Sequence, residues 1–418
     1  MNIRQRGCGA TPLLSLNPAY AETGGGRMNR VSSQKTAQRH AHWKREILQI
    51  ARSTQDISRM RIKEISGLSM DFTLALVSEL LEEALLVECG KAESGGAGRR
   101  ATRLALNPEG CFFIGVRFNA SQVTAVCMNF ALEVTAVRRE QLSAQPDADA
   151  LLSAVEACVK GLLQFLGPKR KRLLGVGLGA PGILDVERGV MVRYAHVPTL
   201  SHVPLRRRIQ ELCGVPVYME HGVRCSARAV LSMPGYAKTR EMIFLQMGRG
   251  VHLCVVVGGS VHEGAQQLAG EIGRMRCGGV ELEELVASDA LCRCARRRIE
   301  SGDARFSGLT GVTEITPDVL CQAADRGCEG ARDLLETAGR AVGEALSAAV
   351  MLLNPADVVL SGKWCASSFF EQAVRGELEA RCLPESVAQL RFAFLLENQQ
   401  QDAVGAAMLP YVRCFLNR

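Results

Sequence analysis

Between residues 43 and 106 the apolar positions follow a helical period three times and then a strand period. In 43–51 (WKREILQIA), Ile47, Leu48 and Ile50 form one apolar stripe with charges between them. Ser58 is a good N-cap for a short second helix over 60–65, and Gly67 supplies the tight turn that follows it. Ser69 caps a third helix, with Phe72, Leu76, Leu80 and Leu81 as its buried face. The opposite face carries Met70, Asp71, Thr73, Leu74 and Ser78. After Leu85-Leu86-Val87 the chain turns through Gly95, Gly96 and Gly98 and returns as a strand over 102–106. This order predicts a winged helix-turn-helix, in which the N-terminal residues of the third helix reach base edges in a DNA major groove. Arg59 and Ser69 then position the DNA backbone, and Met70, Asp71 and Thr73 contact bases. Arg99, Arg100 and Arg103 fall where a wing meets phosphates or the minor groove. A three-helix packing module with a basic loop would give the same periodicities.

From Cys111 the pattern changes to α/β. Residues 112–116, 123–129 and 133–138 predict three strands, 150–166 an amphipathic helix, and 173–179 (LLGVGLG) a buried strand ending in an Ala-Pro-Gly turn. A helix over 205–212 and a strand over 216–219 follow. Residues 242–247, 252–257 and 260–263 repeat the opening hairpin, and 357–361 (DVVLS) interrupts a largely helical remainder. One strand, two hairpin partners, a helix and a further strand, occurring twice, is the repeat of the actin/hexokinase-type (ribonuclease H-like) two-lobed α/β fold.

Charge sharpens the picture at the front of the chain. The 418 residues carry a net charge of +7. Residues 1–45 hold eight Lys or Arg against Glu22 alone, so they account for the whole of that excess. A basic arm of this kind adds salt-sensitive, non-specific affinity for DNA. The division predicted is a basic, disordered leader over 1–40, a DNA-binding domain over 41–108 and a kinase-like domain over 109–418. Met28 offers an alternative translation start. The apolar run 11–16 is too short for a signal peptide, and no later stretch reads as a membrane span, which predicts a cytoplasmic protein with no membrane partner. The sixteen cysteines are scattered, mostly in apolar contexts, as reduced small hydrophobes are. Cys292 and Cys294 make one pair, and no second pair has metal-ligand spacing.

Several motifs in order resemble the ROK family (repressors, open reading frames and sugar kinases), over 43–416. They are Ser58-Arg59 with SGLS at 66–69 and LEEAL at 81–85, GVGLGAPGILD at 175–185 and MGRG at 247–250. LAGEIG at 268–273, LEELVAS at 282–288 and LNPADVVLSG at 353–362 complete the set. The head resembles the repressor branch of that family.

The departures matter as much as the matches. The resemblance implies an Asp-x-Gly phosphate loop near residue 117, where this chain reads Gly115-Val116-Arg117-Phe118-Asn119. Glycine permits the close backbone approach a phosphate needs, and Phe118 does not. It implies a catalytic base in an Asn-Asp pair, where this chain has Glu220-His221. It implies a structural zinc held by one His and three Cys, where this chain has Arg274 and Cys277 alone, so no metal and no cofactor is expected. Histidine can act as a base, but phosphoryl transfer also needs phosphate positioning and charge stabilisation. The family's sugar-binding carboxylates survive by position at Glu271 and Glu284, with Glu220, His221 and Arg274 expected to line the same effector cleft. A pair of ordinary surface acids is the plainer reading of Glu271 and Glu284.

The function expected is a DNA-binding transcriptional repressor whose catalytically dead sugar-kinase-like body dimerises and senses a sugar-like effector. Its other partner is double-stranded DNA, as a palindromic operator matched to a homodimer. An active ATP-dependent sugar kinase with a DNA-binding head is the rival, and a body reduced to a dimerisation scaffold is a third possibility.

Overall fold

The computed structural model describes residues 30–54, 57–91, 102–143 and 145–416. Two compact units emerge, one from the chain up to Cys225 together with Gln399–Arg418, the other from Ser226–Asn398.

The first unit opens with α1 (Arg30–Ser53), β1 (Ile57–Ser58), α2 (Arg59–Ser66), α3 (Met70–Glu82), β2 (Leu86–Lys91) and β3 (Thr102–Leu106). The three strands form an antiparallel sheet in the order β1-β3-β2, with Ile57 opposite Leu104 and Leu86 opposite Leu106. Both caps form as the sequence predicts: Ser58 accepts from the Arg61 N–H and Ser69 from the Phe72 N–H. Gly67 closes α2 at φ 70°, a left-handed conformation that favours glycine. α1 starts at Arg30, inside the stretch assigned to the leader. Residues 30–42 have no apolar stripe but are rich in Gln, Arg, Ala and Lys, so helix propensity acts where periodicity is silent.

The register of α3 differs from the expectation. Its buried stripe is Thr73, Leu76, Val77 and Leu80, while Phe72 and Leu81 are half-buried. Thr73, predicted to face bases, is fully buried, and its hydroxyl donates to the Ser69 carbonyl at 2.9 Å. That bond satisfies the polar group and leaves the methyl free to pack.

The unit continues with β4 (Phe112–Phe118), β5 (Gln122–Asn129), β6 (Val134–Gln141), α4 (Ala148–Leu166) and β7 (Leu173–Ala180). An excursion of β8 (Ile183–Asp185), β9 (Val190–Arg193) and β10 (Ser201–Val203) leads to α5 (Leu205–Cys213), β11 (Val217–His221) and α6 (Gly222–Leu231). The main sheet has the order β11-β7-β4-β5-β6, with β11, β7 and β4 parallel and β4-β5-β6 antiparallel. By length and composition α4 could cross a bilayer. Here Leu151, Val155, Cys158, Val159 and Leu162 bury one face of it in the core of this sheet, and Glu156 and Lys160 pair on the helix at 2.9 Å.

The second unit contains β12 (Met242–Met247), β13 (Val251–Val257), β14 (Ser260–Val261), β15 (Arg276–Cys277), β16 (Val280–Glu281), α7 (Leu282–Val286) and α8 (Ser288–Glu300). It ends with α9 (Pro317–Asp325), α10 (Glu329–Leu353), β17 (Asp357–Gly362), α11 (Ser368–Arg381), α12 (Pro384–Gln389) and β18 (Arg391–Leu395). Its sheet order, β14-β13-β12-β17-β18, repeats that of the first sheet: an antiparallel triplet extended by two parallel strands. This is the duplicated pattern that the sequence predicts.

The chain then returns to the first unit as α13 (Gln399–Tyr411), which lies directly on the first sheet. A Cβ on Gly177 would stand 1.8 Å from the Ala406 carbonyl oxygen, and one on Gly115 2.0 Å from that of Ala403. The other face of this contact forms a continuous core with the head. Ile47, Leu48, Leu76, Leu85 and Leu104 pack in one cluster with Phe113, Met128, Phe130, Ala407, Tyr411 and Phe415. The boundary expected at 108/109 therefore separates two patterns of secondary structure but not two cores. The cysteines of the described residues form no disulfide.

Candidate nucleic-acid interface and effector residues

α3 exposes Ser69, Asp71, Leu74, Ala75 and Ser78, with Met70 half-exposed at its start. From Met70 onward these positions repeat at three and four residues, so they form one outward strip that starts at the Ser69 cap. Ala75 is missing from the sequence-based set, although it lies four residues beyond Asp71 on the same strip. On α2, Met60 and Ile65 are also exposed. Arg59 is tied by a 2.8 Å ion pair to Glu88 of β2, which braces the start of α2 against the hairpin. Arg103 sits half-buried on β3, and Arg99 and Arg100 lie outside the described residues.

Contacts along α1 hold the head together. Lys44 of α1 meets Glu79 at 2.6 Å and Glu83 at 2.8 Å on α3. Burial alone would lower the Lys44 pKa, but the two carboxylates outweigh it and hold the ammonium above the usual lysine range. At the C-terminal end of α1, the Arg52 guanidinium lies 5.4 Å from the Phe130 ring and 5.0 Å from the Tyr411 ring, and donates to the Phe130 carbonyl. The Gln49 amide donates to the Phe415 carbonyl at 2.8 Å. The head is thus latched to α13 and its short π-helical extension, 412–416.

The expected effector residues divide between the units. Glu220 and His221 belong to the first, where β11 runs on to pair Glu220 with Gly179 and His221 with Ala180. Glu220 is 6% exposed, and one carboxylate oxygen accepts from the His221 N–H at 2.8 Å and from Arg224 at 3.1 Å. It is one half of a buried ion pair, not an open acid. Near it, Arg117 occupies the position where the resemblance implies the phosphate-loop Asp. Its guanidinium donates to the Phe118 carbonyl at 2.8 Å and the Gly179 carbonyl at 3.4 Å, and stands 4.0 Å from Asp402 of α13. A Cβ on Gly222, the first residue of α6, would lie 2.3 Å from that guanidinium. The arginine therefore fills the space against the first turn of α6. Asn119 closes the hairpin by accepting from the N–H groups of Ser121 and Gln122 at 2.9 and 3.0 Å.

Glu271, Arg274 and Glu284 belong to the second unit. Glu271 is exposed, 4.0 Å from His252 of β13. Glu284 faces solvent, and its neighbour Glu283 takes the inward position. Glu283 accepts from the Val251 N–H at 3.1 Å, and a Cβ on Gly250 or Gly273 would lie 3.2 Å from its oxygen. The Gly250 position also lies 2.8 Å from the His252 ring nitrogen. α7 begins at Leu282, and burial of Leu282 and Val286 turns Glu283, not Glu284, toward the sheet. Arg274 points outward to Glu281 at 2.9 Å, and that pairing raises its pKa. Cys277 is buried, with its sulfur 3.5 Å from the Ala341 carbonyl oxygen. The group brought together is Glu271, His252 and Glu283 beside Gly250, a set of acceptors and an imidazole suited to hydroxyl groups. His252 gives no sequence signal, because it stands alone in an apolar strand.

The model of the ROK family matches residues 113–411. The chain is 27% identical over 349 residues to a xylose repressor of Caldicellulosiruptor bescii, covering 80% of this chain and 84% of that one. It is 24% identical over 368 residues to the DNA-binding transcriptional repressor Mlc of Escherichia coli K12, covering 84% and 89%. Among solved structures, a ROK family transcriptional regulator, a homologue of the E. coli Mlc protein, superposes with a TM-score of 0.76 at 22% identity, over 90% of this chain and 97% of that one. A ROK family glucokinase from Streptomyces griseus, in complex with glucose and AMPPNP, superposes at 0.60 and 20% identity, over 71% of this chain and 98% of that one.

Proposed function

The chain belongs to the ROK family, and on that premise we propose that it is a DNA-binding transcriptional repressor whose kinase-like body transfers no phosphate. The observation that carries this reading is the outward strip of α3, Ser69, Asp71, Leu74, Ala75 and Ser78, with Met70 at its start. It is presented by a capped helix, tight turn and second helix, closed by a three-stranded sheet. In this reading the head is a winged helix-turn-helix, the strip meets base edges, and Arg59, Ser69, Arg103 and the sequence-predicted wing residues Arg99 and Arg100 meet the backbone. Arg117 supports the loss of phosphoryl transfer: a cation sits where the family's acid would stand, and its own hydrogen bonds hold it there.

The relatives named for xylose and for repression support a sugar or sugar derivative as effector. In the second unit, Glu271, His252 and Glu283 would receive its hydroxyls. A homodimer acting on a palindromic site in the cytoplasm completes the reading, since one recognition helix reads too few base pairs for useful specificity. Selection from a pool of random duplexes followed by gel shift tests the DNA-binding claim, and failure to enrich any sequence removes it. Release of ADP from ATP across hexoses and amino sugars tests the rest; robust turnover would restore the kinase reading.

A further inference from the structure

The most concentrated charge among the described residues lies outside the head. Lys169, Arg170, Lys171 and Arg172 follow one another in the turn Gly167–Arg172, between α4 and β7. Four adjacent cations repel one another, so a solitary turn of this kind is disfavoured unless acids or an external polyanion balance it. Only Lys169 has an acidic partner within the described residues. Lys169 pairs with Glu109, and Arg172 donates to the Glu109 carbonyl at 3.0 Å. Arg170 and Lys171 are exposed and have no acidic partner among the described residues. They line a depression with Lys160, Leu163, Gln164, Pro168 and Leu212.

The topology fixes where this turn points. β4 and β7 run parallel with Phe112 opposite Leu173, so the segments entering them leave the sheet at the same edge. The segment entering β4 is the continuation of β3 of the head, through Asn107, Pro108 and Glu109. Phe130, whose N–H donates to the Pro108 carbonyl at 2.9 Å, packs at that edge in the core shared with the head. The basic turn therefore stands beside the head, on the head-bearing edge of the first sheet.

We propose that Arg170 and Lys171 form a second, sequence-independent DNA contact, taking phosphates of duplex that flanks the segment read by α3. The inference rests on the head being a DNA-binding module. The partner follows from the chemistry: exposed cations with no acidic partner among the described residues suit an extended phosphate backbone, which rewards charge more than shape. Lys169 and Arg172, in contrast, hold the head junction through Glu109.

The test compares the wild type with R170A/K171A on two duplexes sharing a centre selected by the wild type. One spans about 20 base pairs, two half-sites; the other extends about 15 further on each side. The slope of log affinity against log salt should fall by about 3.6 for the variant on the long duplex, from four lost phosphate contacts, two per protomer of the dimer, and stay unchanged on the short one. The melting temperature should not move, since neither side chain has an acidic partner among the described residues. Equal slopes for variant and wild type on both duplexes would overturn the inference while the regulator reading stands. Slope loss on both duplexes would overturn the flanking placement. A wild type that enriches no sequence, and so yields no centre for either duplex, would overturn the regulator reading and this inference together.

Discussion

The outer strip of α3 and the neighbourhood of Arg117 and Glu220 lie in one unit and treat polar groups in opposite ways. On α3, Asp71 and Ser78 face solvent, beside Leu74 and Ala75. Around β11, Glu220 is closed on Arg224 and on the His221 N–H, and Arg117 on two carbonyls and Asp402. A surface that recognises something keeps its donors and acceptors uncommitted; a surface that supports something pairs them internally. The contrast fits the proposed division, in which the head reads DNA and the sheet beneath supports it.

The strongest way to break that contrast is to damage the support alone. Gly177→Val forces side-chain atoms into the α13 backbone, where a Cβ already falls 1.8 Å from the Ala406 carbonyl. It should cost about 3 kcal/mol, the upper end for overpacking, in urea denaturation and abolish DNA binding without touching the head. Retained binding would mean that the head does not need α13. Glu220→Ala comes next: it leaves Arg224 buried without its carboxylate and should cost about 3–5 kcal/mol. Base preference should stay unchanged in a competition gel shift among surviving folded protein. Substitutions on the strip act the other way. Asp71→Asn or Leu74→Gln should alter discrimination at single base pairs by about 1–3 kcal/mol, with melting little changed. Thr73→Val should leave base preference as it is; a changed preference would show that the register of α3 on DNA differs from its register in the fold. The smallest effect is alkaline. The Lys44 pKa is raised above 10.5 in the folded chain, so its contribution is complete below that value and fades as pH climbs through the folded pKa. Lys44→Met should lower stability at pH 8 by about 1 kcal/mol and flatten the loss expected of the wild type above pH 10.5.

Much of this was legible from the sequence because the features are local. The caps at Ser58 and Ser69, the left-handed turn at Gly67 and the duplicated strand pattern each follow from a few neighbouring residues. What was illegible depends on distant partners. Thr73 looked outward because a hydroxyl reads as polar, and its bond to Ser69 hides it. Glu283 and Glu284 are chemically the same, and only the burial of Leu282 and Val286 chooses between them. α13 carries no stripe at all, since it is buried on every side from Asp402 to Tyr411, and a helix buried all round has no amphipathic period. Its role under the head could not be seen in its own residues.

That helix also sets a clock. The head and the first sheet share a core with residues 403–415, yet 226–398 are synthesised in between. At about 5–20 residues per second a ribosome needs roughly 10–35 s to cross that insertion. During that interval Phe113, Phe130 and the apolar face of α1 lack their covering helix. A nascent chain should therefore acquire DNA affinity late and in one step, when α13 arrives.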